Sequence, residues 1–287
     1  MASHHFRPGY NFLGIPPVAP KHADVSIGQV PYDGTTSYQP GARFAPRAII
    51  DASRQVELYD LELKRDVSAK VKIATLPELE IDLSSPEANV EHVAQFAESV
   101  AKDKKFLITL GGEHSITPGL VRPLAKQYKD LTVLQIDAHT DMRESYENTK
   151  WNHACAMKRC RDLGVRVVHV GTRNSSEEEQ PFLDPKDVFY APEVPVEKIL
   201  ARIMSKNVYL SIDVDAFDPS IMPATGTPEP GGLSWHDVLR LIRAVTRERK
   251  LVGADVTELA PMPGFVAPDF LVAKLVYKII GYKFFKS

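Results

Sequence analysis

Short aliphatic and β-branched runs alternate along this chain with longer stretches whose apolar residues recur every three or four positions. The first pattern predicts buried strands and the second predicts amphipathic helices. Residues 23–30 read as a first strand, followed by a long polar loop through Gly41. A helix starts at 45–50, with Pro46 suited to its first turn. Residues 87–101 carry Val90, Val93, Phe96, Ala97 and Val100 at helical spacing and lead into the run 106–110. A second helix, 118–128, leads into the run 131–136; a strand follows at 165–170, and a helix at 196–204 precedes the run 208–212. After Ser234 a long helix extends to about Arg249, then a late strand at 251–256 and a closing apolar helix at 270–280. This alternation implies parallel βαβ units. The expectation is a single domain over 1–287, a three-layer α/β/α fold with a mainly parallel central sheet. An eight-stranded barrel is the alternative, but the runs that carry chemistry share no regular repeat.

Three of the runs end in residues that bind metals. The first opens into Gly111-Gly112-Glu113-His114, the second into Asp137-Ala138-His139-Thr140-Asp141, and the third into Asp213-Val214-Asp215. Taken singly, each admits a plainer reading as a helix start, a turn or a cap. Acid, imidazole and acid at two-residue spacing point to one side of an extended chain. Buried charges at a strand end need partners or metals. Ligands in open α/β sheets gather at the carboxyl edge, where all three runs end. Two imidazoles and four carboxylates would balance two divalent cations. With no thiolate among them, the donors suit Mn²⁺ better than Fe²⁺, Co²⁺, Ni²⁺ or Zn²⁺. Two such ions can lower the pKa of a shared water and aim it, so the pattern supports metal-assisted hydrolysis.

Composition removes other classes. The 35 Lys+Arg against 37 Asp+Glu leave no basic stretch for nucleic acid and no acidic tail, so the ligand is expected to be small. No apolar run approaches the ~20 residues of a membrane span. Residues 1–8 lack the apolar core of a signal peptide. Cys155 and Cys160 are expected in one helix as reduced, partly buried thiols, and a cytoplasmic location follows.

The stretches GGEHS (111–115), DAHTD (137–141) and SIDVDAFDP (211–219) resemble the three signature motifs of the ureohydrolases, the family of arginases and agmatinases. The resemblance extends to YDGTTSYQPGARFAPRAI (32–49), TGTPEPGGLSW (225–235) and ADVTEL (254–259), and is greatest toward the agmatinases. It implies that His114, Asp137, Asp141 and Asp213 bind one Mn²⁺, that Asp137, His139, Asp213 and Asp215 bind the other, and that Asp137 and Asp213 bridge them. It also implies a homotrimer or homohexamer.

A guanidinium is a planar cation that a carboxylate grips through two parallel hydrogen bonds. Glu258 matches the family's guanidinium-binding glutamate, and His153 resembles its mobile, proton-carrying histidine. Imidazole suits that task because it titrates near neutrality. Asp141 is expected to accept a hydrogen bond from the tetrahedral carbon's substituents, and activity is expected to rise on the alkaline side. Asp255 is expected to be structural or to support the site from behind. His22, His92, His169 and His236 are read as structural or surface residues, with His4 and His5.

In arginases an Asn two positions before the mobile histidine helps hold the substrate's α-carboxylate. Trp151 occupies that position here, which points away from arginine and toward a substrate without the amino-acid head, such as agmatine; on a longer polyamine-tailed agmatine, Trp151 or Tyr146 could pack on the methylenes. Lys150 facing inward would favour guanidinobutyrate, whereas Glu144 or Glu147 would favour a cationic tail; aminopropylagmatine is a further alternative. A single-zinc deacetylase would carry adjacent catalytic histidines, and a non-catalytic family member would have lost a ligand. Neither fits these residues.

Overall fold

The computed structural model describes residues 9–101 and 105–285; Met1–Pro8, with His4 and His5, lie outside the described residues. In chain order the elements are β1 (Val25–Val30), α1 (Ala45–Ser53), β2 (Tyr59–Asp60), β3 (Arg65–Asp66), β4 (Ile73–Glu78), α2 (Pro86–Ala101), β5 (Phe106–Gly111), α3 (Thr117–Gln127) and β6 (Leu131–Ile136). They continue with α4 (Ala156–Asp162), β7 (Arg166–Thr172), β8 (Val188–Tyr190), α5 (Val196–Arg202), β9 (Asn207–Asp213), α6 (Trp235–Glu248), β10 (Lys250–Thr257) and α7 (Ala267–Phe284).

Eight strands form one sheet in the order β4-β1-β5-β10-β9-β6-β7-β8, and every pairing in it is parallel. Helices cover both faces, so β1 and β6 are buried at every position and carry no polar alternation. Val93 and Ala97 of α2, Leu120 and Val121 of α3, and Ala156, Met157 and Cys160 of α4 pack one core layer against the sheet. The other layer joins the opposite side of the sheet to α1, α5, α6 and α7. α6 is amphipathic, and the Ser234 side chain caps it by accepting from the Asp237 N–H. α7 packs against both α1 and α6, which is why it can be apolar almost all round.

Two strands of this sheet escape the periodicity, as do the short β2 and β3 outside it. β4 ends in Pro77-Glu78, residues a central strand would not tolerate, and it lies at the sheet edge where a missing N–H costs little. β8 is three residues long at the opposite edge. The cysteines also differ from expectation. Cys155 sits in the turn before α4 rather than in the helix, and both thiols are free and wholly buried. Burial pushes the Cys155 thiol up to about 12.

Topology brings the chemistry together. The chain leaves β5 for β6, three positions away, and only later fills the gap with β9 and β10. The four central strands are therefore β5, β10, β9 and β6. The residues singled out in the sequence follow their carboxyl ends at this switch in winding direction.

Candidate metal centre and substrate pocket

Asp137 and His139 follow β6, Asp213 ends β9, Asp215 lies one turn on, and His114 follows the Gly111-Gly112 exit from β5. Backbone and side-chain donors aim each acid. Asp215 Oδ1 accepts from Ala138 N (3.0 Å), and Asp213 Oδ1 from Asp215 N (2.9 Å). Asp137 accepts from His139 N and from Gln135 Nε2, each at 2.6 Å. The second oxygens of Asp213 and Asp215, and both oxygens of Asp137, converge on the imidazoles. His114 Nδ1 lies 3.0 Å from Asp137 Oδ2, 2.9 Å from Asp141 Oδ2 and 3.4 Å from Asp213 Oδ2. His139 Nδ1 lies 3.0 Å from Asp215 Oδ2 and 3.6 Å from Asp137 Oδ1. Two compact ligand groups result, His114–Asp137–Asp213 and Asp137–His139–Asp215, sharing Asp137.

The donor set fits cations. Ser211 Oγ donates to Asp255 Oδ1 (2.7 Å), so its oxygen accepts from His114 Nε2 at 2.8 Å. That fixes the tautomer and leaves buried Nδ1 without a hydrogen-bond partner while it faces three carboxylate oxygens. A lone pair and three anions directed at one point require positive charge between them. Burial alone would lower the His114 pKa, but Asp137, Asp141 and Asp213 pull it well above the ordinary imidazole value, the same demand met by a proton. Burial and the neighbouring Asp137 charge push Asp141 up to about 7. Burial, with Asp215 and Asp137 beside it, also raises Asp213. Such a cluster keeps its full negative charge only when cations neutralise it.

Supporting residues surround this set that the sequence pattern did not single out. Thr117 Oγ1 (3.0 Å) and Tyr209 OH (2.7 Å) donate to Asp255, which stands behind the Ser211–His114 pair. His169 pairs with Gln135 and so braces Asp137. Glu229 faces His139 Nε2 at 3.7 Å and is held by Asn174 Nδ2. Glu179 receives Thr140 Oγ1 and Met142 N, fixing the loop that carries Asp141. None has a spacing signature; in the sequence each is an ordinary polar residue in a strand, a loop or, for Thr117, at the start of a helix.

A cavity of about 150 Å³ opens over the cluster. His114, His139, Asp141, Asp213, Asp215, His153 and Glu258 line its floor and walls. Glu258 follows β10 with φ of 65°, and Asp141 has φ of 52°, a left-handed backbone held at both site residues. Glu258 Oε1 accepts from His114 N (2.7 Å), while Gly226 leaves room beside Oε2. His153 stands before α4, with Nδ1 2.7 Å from the Thr35 carbonyl oxygen and Nε2 3.4 Å from Ser37 Oγ. Burial lowers its pKa to about 4, so it is neutral at physiological pH.

Trp151, expected beside the substrate, is half-buried and is not among the residues lining the cavity. The Tyr146–Thr149 turn, closed by two backbone hydrogen bonds, leaves Lys150 and Trp151 outside that lining. Glu144 is engaged by Lys150, Lys158 and Arg159 instead of facing inward. Tyr38, Tyr146 and Arg143 form the outer wall, with Arg143 paired to Glu178 and stacked on the Tyr146 ring at 4.6 Å.

A wholly parallel sheet with paired carboxylate–imidazole clusters at its carboxyl edge defines a hydrolase of the arginase-like α/β class. The Arginase family model matches residues 23–281. The N(1)-aminopropylagmatine ureohydrolase of Synechocystis sp. is 38% identical over 272 residues, covering 91% of this chain and 89% of that protein. The agmatinase of Pyrococcus horikoshii is 35% identical over 274 residues, 94% of this chain and 95% of its own. The crystal structure of agmatine ureohydrolase of Thermoplasma volcanium superposes with a TM-score of 0.83 at 34% identity, covering 93% of this chain and 92% of that one. The chain belongs to the arginase family and is an amidinohydrolase of the ureohydrolase type, acting on a guanidino group.

Proposed function

We propose that the protein hydrolyses agmatine to putrescine and urea, with two Mn²⁺ ions held by His114, Asp137, Asp141 and Asp213 and by Asp137, His139, Asp213 and Asp215. The observation that carries this reading is Glu258. It is a buried carboxylate at the cavity wall, anchored through Oε1 to His114 N, with Gly226 beside its second oxygen.

When bound, the two cations supply an activated water and electrostatic stabilisation of the charge that develops at the guanidinium carbon. Glu258 grips the guanidinium and holds its carbon over the cluster. Asp141, fixed through its backbone carbonyl by Met157 N (3.0 Å) and Lys158 N (3.1 Å), accepts a hydrogen bond from the amino groups as the carbon becomes tetrahedral. His153, neutral and with Nε2 open to the cavity, takes up a proton and returns it to the departing amine. Water and guanidine enter; urea and amine leave.

For the substrate's far end, Lys150 and Glu144 satisfy each other, so Lys150 neither repels an ammonium tail nor offers an anchor to a carboxylate. The rings of Tyr38 and Tyr146, the latter with Arg143 stacked on it, line that wall and suit a methylene chain. That combination favours agmatine over guanidinobutyrate and arginine. A second reading, aminopropylagmatine, is favoured by the Synechocystis relative of that name and by the tyrosine-lined outer wall, which suits a longer tail. The enzyme is proposed to work in the cytoplasm as a homotrimer or homohexamer.

Urea release by the Mn²⁺-loaded protein, measured with agmatine, aminopropylagmatine, guanidinobutyrate, guanidinopropionate and arginine, tests this. Agmatine or its aminopropyl derivative should lead. Equal rates for arginine and agmatine would overturn the substrate assignment, and no urea from any guanidine in protein with two bound metals would overturn the reaction.

A further inference from the structure

Glu113 adjoins His114 in the sequence but belongs to neither ligand group. It is fully buried, and four donors surround it: Thr35 N (2.8 Å) and Thr36 Oγ1 (3.3 Å) on one oxygen, Ser115 Oγ (2.6 Å) and Thr35 Oγ1 on the other. A buried carboxylate with this many donors is an acceptor that dictates directions, because every neighbouring hydroxyl must point its proton inward.

Those directions reach His153. With its proton committed to Glu113, Thr35 Oγ1 accepts from His153 N at 3.1 Å. The Thr35 carbonyl, which can only accept, lies 2.7 Å from His153 Nδ1. Nδ1 therefore carries the ring proton, and Nε2, toward the cavity, carries the lone pair. We infer that Glu113 is a positioning residue that acts through Thr35 to fix both the place and the tautomer of His153. The inference rests on the role proposed above for His153 and extends it to the group that holds it. The loop's other contacts with the His153 ring are longer: Thr35 Oγ1 lies 3.5 Å from Nδ1 and Ser37 Oγ 3.4 Å from Nε2.

The test uses full-length Thr35→Val, Thr35→Ser, Glu113→Gln and His153→Asn, alone and combined with His153→Asn. Thr35→Val and Glu113→Gln should lower kcat about ten- to hundredfold with KM and bound metal little changed, as expected for a displaced proton carrier. Thr35→Ser should restore most of the rate. In the His153→Asn background, Thr35→Val should add almost nothing, since both act on one group. Imidazole ¹⁵N spectra of metal-free protein, with the His153 signal assigned by its loss in His153→Asn, should show the Nδ1–H form in wild type and a mixture in Glu113→Gln. The inference is overturned if the Thr35→Val and His153→Asn losses multiply, if kcat is unchanged, or if the ring signal is the same in Glu113→Gln. Should Glu113→Gln fail to fold, the Thr35 pair carries the test. If wild type releases no urea, the functional reading falls, while the tautomer spectra still decide this one.

Discussion

Ser211 Oγ lies 2.8 Å from His114 Nε2, so a serine in the middle of the sheet determines which nitrogen of a buried histidine faces the carboxylates. The serine is itself oriented by Asp255. Ser211→Ala removes the acceptor that selects this tautomer and leaves one oxygen of Asp255 without its donor. Supporting residues of this kind typically change metal affinity about 10–100-fold. Chelator competition should show one of two Mn²⁺ ions weakened to that extent while the other is held as before. Unchanged affinity for both would mean that His114 is oriented by packing alone.

Gly112 marks where the chain must turn close under a neighbouring loop. Its N–H donates to Val30 O (2.8 Å) and its carbonyl accepts from Glu258 N (2.8 Å), which ties β5, β1 and the Glu258 turn at one residue. A Cβ at this position would stand 1.8 Å from the Tyr32 carbonyl oxygen, a contact that only backbone movement relieves. Gly112→Ala should therefore destabilise the fold by about 3 kcal/mol or more and misplace both Glu258 and His114. Denaturant titration checks the first effect and metal stoichiometry the second. A variant within about 0.5 kcal/mol of wild type, the usual scale of surface changes, would contradict this account.

Acid stability has a separate origin, at the junction of the β2–β3 hairpin with α7. Glu62 is desolvated, which alone would raise its pKa, but hydrogen bonds from Tyr282, Lys278 and Arg243 outweigh this and bring it from 4.5 to about 2. A carboxyl that titrates lower when folded contributes in full above its unfolded value, and the contribution disappears as pH falls from about 4.5 toward 2. Because the side chain is 31% exposed, screening trims the contribution to roughly 1–2 kcal/mol. Glu62→Gln should unfold earlier than wild type in urea at pH 7, and the two curves should approach each other near pH 2. A gap independent of pH would assign the effect to packing.

The fold was readable wherever apolar periodicity ran long enough. Residues 106–110, 131–136 and 208–212 became β5, β6 and β9 because a parallel strand covered on both faces must be apolar throughout. β4 was hidden by Pro77 and Glu78, which an edge position accepts. The proposed ligands were visible because acids and imidazoles at strand ends have few structural reasons to be there. Their supports were not: Ser211 and Thr35 acquire meaning from partners 97 and 118 residues away in sequence, and Gln135, which reaches Asp137 two residues on, is itself held by His169, 34 residues away. The place of Trp151 was not legible either, since the direction of a loop residue depends on how its turn closes, and the Tyr146–Thr149 pairing leaves Tyr146 rather than Trp151 on the cavity wall.

Asp141 and Glu258 lie in the same cavity, both buried and both at left-handed φ, yet they should fail in different ways. Asp141 Oδ2 is 2.9 Å from His114 Nδ1, within the cluster that requires positive charge. Glu258 instead spends Oε1 on the His114 backbone N–H and turns toward the space where substrate would lie. Asp141→Ala should lower bound manganese from two ions to one and remove most activity. Glu258→Ala should keep both ions and still lose most activity, because removing one side of a desolvated charge pair costs about 2–5 kcal/mol, or some thirty- to several-thousandfold in kcat/KM. Elemental analysis of the purified variants alongside urea release separates the two. Metal loss in Glu258→Ala would make it a support of the centre, and full metal content in Asp141→Ala would remove Asp141 from the ligand set.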